Sequence, residues 1–258
     1  MTRHRDMLPI LIASEPAELL LHDAEEPCPY LPDRSARMPL RMPLRPLRPA
    51  ETDARLAEGS RRHGRLLYRP TCPTCRACEA IRVDALAHRM SRTHRRVKNR
   101  GDRLLTTRID APSFSLEKLS LYEHHRRGRD LVSGDGTALD EGGYRSFLID
   151  SSVETVELSF VHEGRLAGVA VTDVGADSMS AVYCFFDPSL ARLSLGTYSI
   201  LKQLELCRTW AKRWLYLGLY IADNSHMSYK ARFVPNERLV DGGWMRFEVA
   251  PARTEHAR

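Results

Sequence analysis

The sequence predicts a mixed α/β (α+β) fold, with a sheet-and-helix domain over residues 111–258 and a smaller, basic, cysteine-bearing domain over residues 1–110. Three observations predict it. Segments from about 112 onward alternate between strand-like and helix-like patterns, which is the order of a sheet covered by helices. The stretch before it is instead rich in Arg, Pro and Cys. Asp110-Ala111-Pro112 marks the change, because proline disfavours helical geometry in the residue before it. A chain of 258 residues accommodates one large domain or two small ones. Its 43% hydrophobic and 28% charged residues exclude collagen, coiled coil and bulk disorder. No apolar run approaches the roughly 18 residues of a membrane helix, so no membrane partner is expected.

The elements follow in order. Arg37 to Pro49 reads RMPLRMPLRPLRP, a decaying tandem repeat. Repeated prolines fix φ and remove donors, so an extended, polyproline-like surface segment is expected. Leu66 to Arg69 and Glu79 to Asp84 read as short strands. Ser91 to Gly101 reads as a helix, with Ser91 as its cap and Gly101 as its left-handed stop. Residues 115 to 127 form a second helix, with Leu116, Leu119 and Tyr122 on one face. Thr155 to His162 and Leu166 to Val174 are strands joined by a Glu163-Gly164 turn, and Ser178 to Phe186 follows. An amphipathic helix runs from about 194 to 212, capped by Ser194. Trp214 to Ile221 is a near-continuous apolar run suited to a strand buried on both faces. Asn224 or Ser225 then starts a short helix through Arg232, stopped before Pro235.

Three motifs carry chemistry. Cys72-Pro73-Thr74-Cys75-Arg76-Ala77-Cys78 puts three sulfurs on one tight loop, the spacing of a zinc or iron–sulfur ligand set, and Cys28 is the natural fourth ligand. Metal-free thiols are the alternative, because a second CxxC pair is absent. Cys184 and Cys207 read as small buried hydrophobes. With no export signal visible, reduced thiols in a cytoplasm are expected. The second motif is a basic run of seven cations, Arg89, Arg92, Arg95, Arg96, Lys98, Arg100 and Arg103. Such a helix face suits a nucleic-acid backbone, which binds cations by releasing condensed counterions. A second basic patch holds Arg61, Arg62, His63 and Arg65. The third motif is Met227-Ser228-Tyr229-Lys230-Ala231-Arg232-Phe233, in which a core helix would account for Met227, Tyr229 and Phe233. No glycine-rich nucleotide loop or metallohydrolase motif is present.

The order of elements in the second half resembles the GNAT acyltransferase fold. In that fold a glycine-rich loop before the long helix holds the pyrophosphate of coenzyme A. Here the loop is Arg192-Leu193-Ser194-Leu195-Gly196-Thr197, with one glycine, so coenzyme A is not the expected donor. A series of motifs then narrows the resemblance. Cys28-Pro29-Tyr30-Leu31-Pro32, Tyr68-Arg69-Pro70 with the three cysteines, Ser91-x3-Arg95-Arg96-Val97, Phe185-Phe186-Asp187-Pro188, Ser194-Leu195-Gly196-Thr197, Tyr216-Leu217-Gly218 and Met227-x-Tyr229-Lys230-Ala231-Arg232-Phe233 occur in that order. Together, over residues 16 to 236, they resemble the bacterial aspartate/glutamate leucyltransferases, relatives of the arginyl-tRNA–protein transferases.

The resemblance implies a GNAT-like domain after a cysteine-bearing domain. It also implies transfer of leucine from leucyl-tRNA to proteins beginning with Asp or Glu, which makes an N-degron. Aminolysis of a tRNA ester is downhill and needs no cofactor, and the α-amine (pKa about 8) is partly neutral at cytoplasmic pH. The enzyme's work is then to position amine and ester and to stabilise an oxyanion. Tyr183 to Asp187, on the strand that splays in GNAT-like folds, is the expected place, with Tyr183 and Asp187 as catalytic candidates. Lys230 and Arg232, with Tyr229 beside them, are the candidate readers of the acidic N-terminus, and Arg76 is the next. On a helix, residues two apart differ by about 200°, so one of Lys230 and Arg232 should face the pocket. Arg92, Arg95, Arg96, Lys98 and Arg100 are the candidate tRNA contacts. Two alternatives remain open: an arginyl donor, and a non-enzymatic, metal-stabilised nucleic-acid-binding protein.

Overall fold

The structure, a computed structural model, describes residues 9–129 and 138–250. The chain order is β1 (Ile10–Ile12), β2 (Glu18–His22), β3 (Glu25–Pro27), β4 (Ser35–Arg37), β5 (Leu40–Pro43), α1 (Pro49–Ala57), β6 (Arg61–His63), β7 (Leu66–Tyr68), β8 (Glu79–Asp84), α2 (Arg92–Leu104) and β9 (Leu105–Asp110). It continues with α3 (Leu116–Gly128), α4 (Glu141–Tyr144), a π-helical turn (Arg145–Ile149), β10 (Thr155–His162), β11 (Arg165–Val174), β12 (Ser178–Phe186), a 3₁₀ turn (Pro188–Leu193), α5 (Leu195–Thr209) and β13 (Trp214–Tyr220). The last elements are α6 (Ser225–Ser228), a 3₁₀ turn (Tyr229–Arg232), β14 (Asn236–Val240) and β15 (Gly243–Phe247).

Eight strands form the main sheet, in the order β15-β14-β8-β13-β12-β11-β10-β9. β8 and β9 come from the first half of the chain, so this sheet crosses the expected division near residue 110. A second sheet, β1-β2-β5-β7-β6, lies wholly in the first half, and β3 and β4 make a separate hairpin. The expected polyproline-like segment is in part a strand: Leu40–Pro43 pairs with β2 on one side and β7 on the other. Its prolines allow this because Pro39 precedes the paired residues and Pro43 closes them. Pro49 instead opens α1, where its missing N–H costs nothing.

α2 and α5 pack on one face of the main sheet around Leu158, Phe160, Met179, Leu204 and Leu215. α3 and the π-helical turn cover Val169, Val171 and Phe185 on the other face. The Ser91 hydroxyl accepts from His94 N at 3.1 Å and caps α2 as expected. Gly101 does not stop α2; it is buried inside the helix. A Cβ there would stand 2.2 Å from the Tyr198 ring of α5, so glycine is required by close approach rather than by backbone sign. Ser194 also departs from expectation. It takes a left-handed φ of 51° and makes no side-chain cap for α5.

Gly101→Ala should therefore overpack the α2–α5 contact. We expect a loss of about 1–3 kcal/mol, read as a lower midpoint in thermal or urea unfolding with an unchanged slope.

Candidate active site

β12 and β13 are parallel neighbours, and they stay paired for three residues: Ser178 with Trp214, Met179 with Leu215 and Ser180 with Tyr216. Beyond that point they part. Arg61 of β6 enters the gap. Its guanidinium donates to Ser180 Oγ at 3.0 Å and to the Ala181 carbonyl at 3.0 Å, both on β12. Its other side lies against Gly218 of β13, where a Cβ would meet Arg61 NH2 at 2.8 Å. Gly218 has φ +85° and interrupts the β13–β8 register, so this backbone needs glycine twice over. Arg61 is 9% exposed, and among the described residues it has no carboxylate partner.

Lys230 reaches the same gap from the 3₁₀ turn. Its ammonium donates to the Leu219 carbonyl at 2.8 Å and touches Met227 Sδ at 3.3 Å. Burial of the ammonium, with Arg61 close by, pushes its pKa down to about 7. Tyr229 packs beside it with its phenol pushed up to about 12, by burial first and then by Cys184. Arg232 is exposed, on the side of His94. Of the two cations, one of which was expected to face the pocket, Lys230 is at the notch and Arg232 is outside it.

The first half closes the notch. Tyr30 is hydrogen-bonded to Tyr68 near Arg61, and its carbonyl accepts from Asn224 Nδ2 at 2.8 Å. Next to it, the β3–β4 hairpin brings Cys28 alongside the 72–78 loop: the Arg37 amide donates to Cys72 Sγ and Arg34 donates to Cys75 Sγ, each at 3.4 Å. Cys78 is pushed up to about 12 by burial and by the neighbouring Cys28, Cys72 and Cys75. Cys75 is lowered, first by a hydrogen bond from the Ala77 amide and then by Arg34. The four cysteines thus gather as the spacing implied. Yet among the described residues no group of three or more His, Cys, Asp or Glu side chains is placed to hold a metal ion. The sulfur of Cys72 accepts from a backbone amide and that of Cys75 from a guanidinium. Arg76 folds back onto the carbonyls of its own loop at Cys72 and Cys75.

Tyr183 points to the α3 face, where it meets Tyr122, Phe147 and Phe185, and burial raises its phenol. Asp187 caps the following 3₁₀ turn through the Ser189 amide at 2.9 Å and lies 3.4 Å from His124. Both side chains are thereby engaged away from the notch. Among the basic candidates, Arg92, Arg96 and Arg103 fall with Asn99 within an arc of about 60° on α2. All are exposed, and among the described residues none of the three arginines pairs with an acid. Arg95 is exposed and donates to the Met90 carbonyl. Arg100 donates to the Arg192 carbonyl at 2.6 Å, just ahead of α5. Lys98 lies off this stripe, held by Asp102 at 2.5 Å and Glu205 at 2.9 Å.

Two family models match the chain. Residues 26–96 match the N terminus of the arginine-tRNA-protein transferases and residues 117–240 match their C terminus. The aspartate/glutamate leucyltransferase of Aeromonas hydrophila is 35% identical over 226 residues, 87% of this chain and 93% of that protein. That of Nitrobacter winogradskyi is 37% identical over 246 residues, 90% of this chain and 93% of that protein. The chain belongs to the aspartate/glutamate leucyltransferase family. Among solved structures, the C-terminal domain of a putative lysylphosphatidylglycerol synthetase from Agrobacterium fabrum has a TM-score of 0.44 at 15% identity, covering 56% of this chain and 47% of that one.

In this leucyltransferase-family chain, sequence reasoning placed Arg61 in a surface patch and gave Gly218 no role. One signal was available: a glycine inside an otherwise apolar central strand marks a bulge or a close approach. Nothing in the sequence points from Gly218 to Arg61, which is 157 positions away.

Gly218→Ala should unseat Arg61. We expect about 1–3 kcal/mol lower stability from the left-handed backbone alone, measured by chemical unfolding. The thiols give a second test. Because the thiolate is the nucleophile, Cys75 should be alkylated by iodoacetamide well before Cys78 at pH 8, as followed by peptide mass spectrometry. Equal rates would contradict the asymmetry.

Proposed function

We propose that this aminoacyltransferase moves leucine from leucyl-tRNA to the N-terminal amine of proteins beginning with Asp or Glu, marking them with an N-degron, on a GNAT-like acyltransferase fold working in the cytoplasm. Arg61 carries the reading. A guanidinium this deep, between two parted strands and without a carboxylate partner among the described residues, calls for the counter-charge that a buried cation requires. The side-chain carboxylate of an acidic N-terminal residue supplies it, in the bidentate geometry that guanidinium favours.

The rest of the notch fits an ester aminolysis. The parted edge of β12 is where backbone amides would have to meet the tetrahedral oxyanion. The amine and the ester are held together there, and no cofactor enters the reaction. Coenzyme A has no place in this reading, since the 192–197 segment has a single glycine, Gly196, which lies in the first turn of α5 beside the Phe186 ring. The exposed arginines of α2 lie on the tRNA backbone. Two strand positions from Arg61, on the same face of β6, His63 borders a cleft of about 550 Å³ lined by Met42, Leu66, Tyr122, Leu139 and Phe147, with Arg65, Ser146 and Asp150 also on its wall. Its apolar side chains offer a surface for a leucyl side chain.

Three measurements test this reading. Leucine from charged tRNA should be transferred to Asp- and Glu-peptides but not to Lys-peptides, and free leucine with ATP should not replace leucyl-tRNA. Arg61→Gln should raise the KM for an Asp-peptide by at least about tenfold while leaving tRNA affinity unchanged, and better transfer from arginyl-tRNA would overturn the leucyl assignment. Arg92→Ala with Arg96→Ala should weaken binding of charged and uncharged tRNA alike. It should also flatten the salt dependence by about two units of slope, near 0.9 per phosphate contact.

A further inference from the structure

The acceptor of this reaction arrives mostly as an ammonium, because an α-amine has a pKa of about 8. An ammonium has no lone pair, so a proton must leave it before the nitrogen can attack. The groups around the notch differ sharply in their capacity to take that proton. Arg61 stays charged, Tyr229 and Cys184 are pushed up by burial and hold their own protons, and Tyr30 is raised likewise. Tyr183 and Asp187 face other elements.

Lys230 is placed differently. Among the described residues its nitrogen has one oxygen partner, the Leu219 carbonyl at 2.8 Å, and one weak sulfur partner, Met227 Sδ. A full ammonium has three protons to satisfy, and a neutral amine donates to one carbonyl and keeps a lone pair free. Among the described residues no carboxylate pairs with it, and the charged neighbour, Arg61 from β6, repels the protonated form. Cys184 from β12 and Tyr229 on its own turn are neutral, and Met227 from α6 is apolar.

We propose that Lys230 is the proton acceptor that frees the α-amine of the incoming protein, resting on the transferase reading above. The step balances. The neutral Lys230 amine takes one proton from the α-ammonium. The freed nitrogen attacks the ester carbonyl carbon, forming the C–N bond. Collapse breaks the C–O bond to the tRNA ribose, and the proton lost by the new amide nitrogen goes to that ribose oxygen. The proton on Lys230 returns to water. A lysine poised near pH 7 loses about tenfold against an α-amine of pKa about 8, a small cost for a positioned transfer.

The same site assigns different work to its two cations. Arg61 keeps a fixed charge and is the reader of the carboxylate; Lys230 exchanges a proton beside it. The test separates these roles in one set of rates. Single-turnover transfer from leucyl-tRNA to an Asp-peptide is measured from pH 6 to 9 for the unaltered chain, Lys230→Gln and Lys230→Arg. The unaltered chain should gain rate through pH 7, as Lys230 loses its proton, and then level. Both variants should be about tenfold slower at pH 7, where about a tenth of the α-amine is neutral without help. Both should recover to within about twofold at pH 9, where nearly all of it is. That recovery in the same preparation shows the variants are folded, and the KM for peptide should change less than about threefold. Lys230→Arg transferring at the unaltered rate at pH 7 would show that a cation suffices, and would overturn the proposal. A deficit that is constant across pH would overturn it too. No transfer by the unaltered chain at any pH would instead sink the transferase reading and this proposal with it.

Discussion

The site depends on the parting of β12 from β13. Parallel strands normally continue their ladder, and these two abandon it after three residue pairs. Two irregularities allow it. β12 shifts register against β11 between Val171 and Thr172, and β13 shifts against β8 around Gly218. Arg61 then donates to the Ala181 carbonyl of β12, a group that a strand partner could otherwise pair, and to the Ser180 hydroxyl. Without such a wedge, buried backbone groups would be left unpaired, which a folded protein rarely tolerates.

The wedge comes from the other sheet, and its neighbour ties that sheet down. Arg62 donates to both carboxylate oxygens of Asp173 in β11 at 2.9 and 3.0 Å, and the pair is almost fully buried. Successive residues of β6 thus fasten the five-stranded sheet to two strands of the main sheet. Breaking a buried pair from one side leaves an uncompensated charge, so the two halves are coupled by more than apolar contact. The cysteine loop and the Tyr30 segment are carried into place by the same attachment.

Charge is distributed unequally between the two working regions. The notch holds cations that are few and deep, and burial lowers the pKa of Lys230 there. The α2 stripe holds several cations that are exposed and screened, which suits additive contact with a polyanion. Lys98 belongs to neither. It joins Asp102 and Glu205, and Asp102 also accepts from Tyr198 at 3.0 Å, so that group locks α2 to α5.

Local pattern determined much of this by itself. The strands at 79–84, 155–162 and 178–186, the Ser91 cap and the gathering of Cys28 with the 72–78 loop are all visible in the sequence, because alternation, capping chemistry and cysteine spacing act over a few residues. The motif series was enough to point to the leucyltransferase family. What tertiary structure decided is every relation between distant residues. Arg61 reads as one basic residue among many until the gap beside Gly218 gives it a place. Gly101 reads as a helix stop until Tyr198 is seen against it. Lys230 and Arg232 are equivalent in sequence and differ only once one is buried. Burial, and the pKa shift that follows from it, depends on what packs around a group from elsewhere in the chain, and no local pattern encodes that.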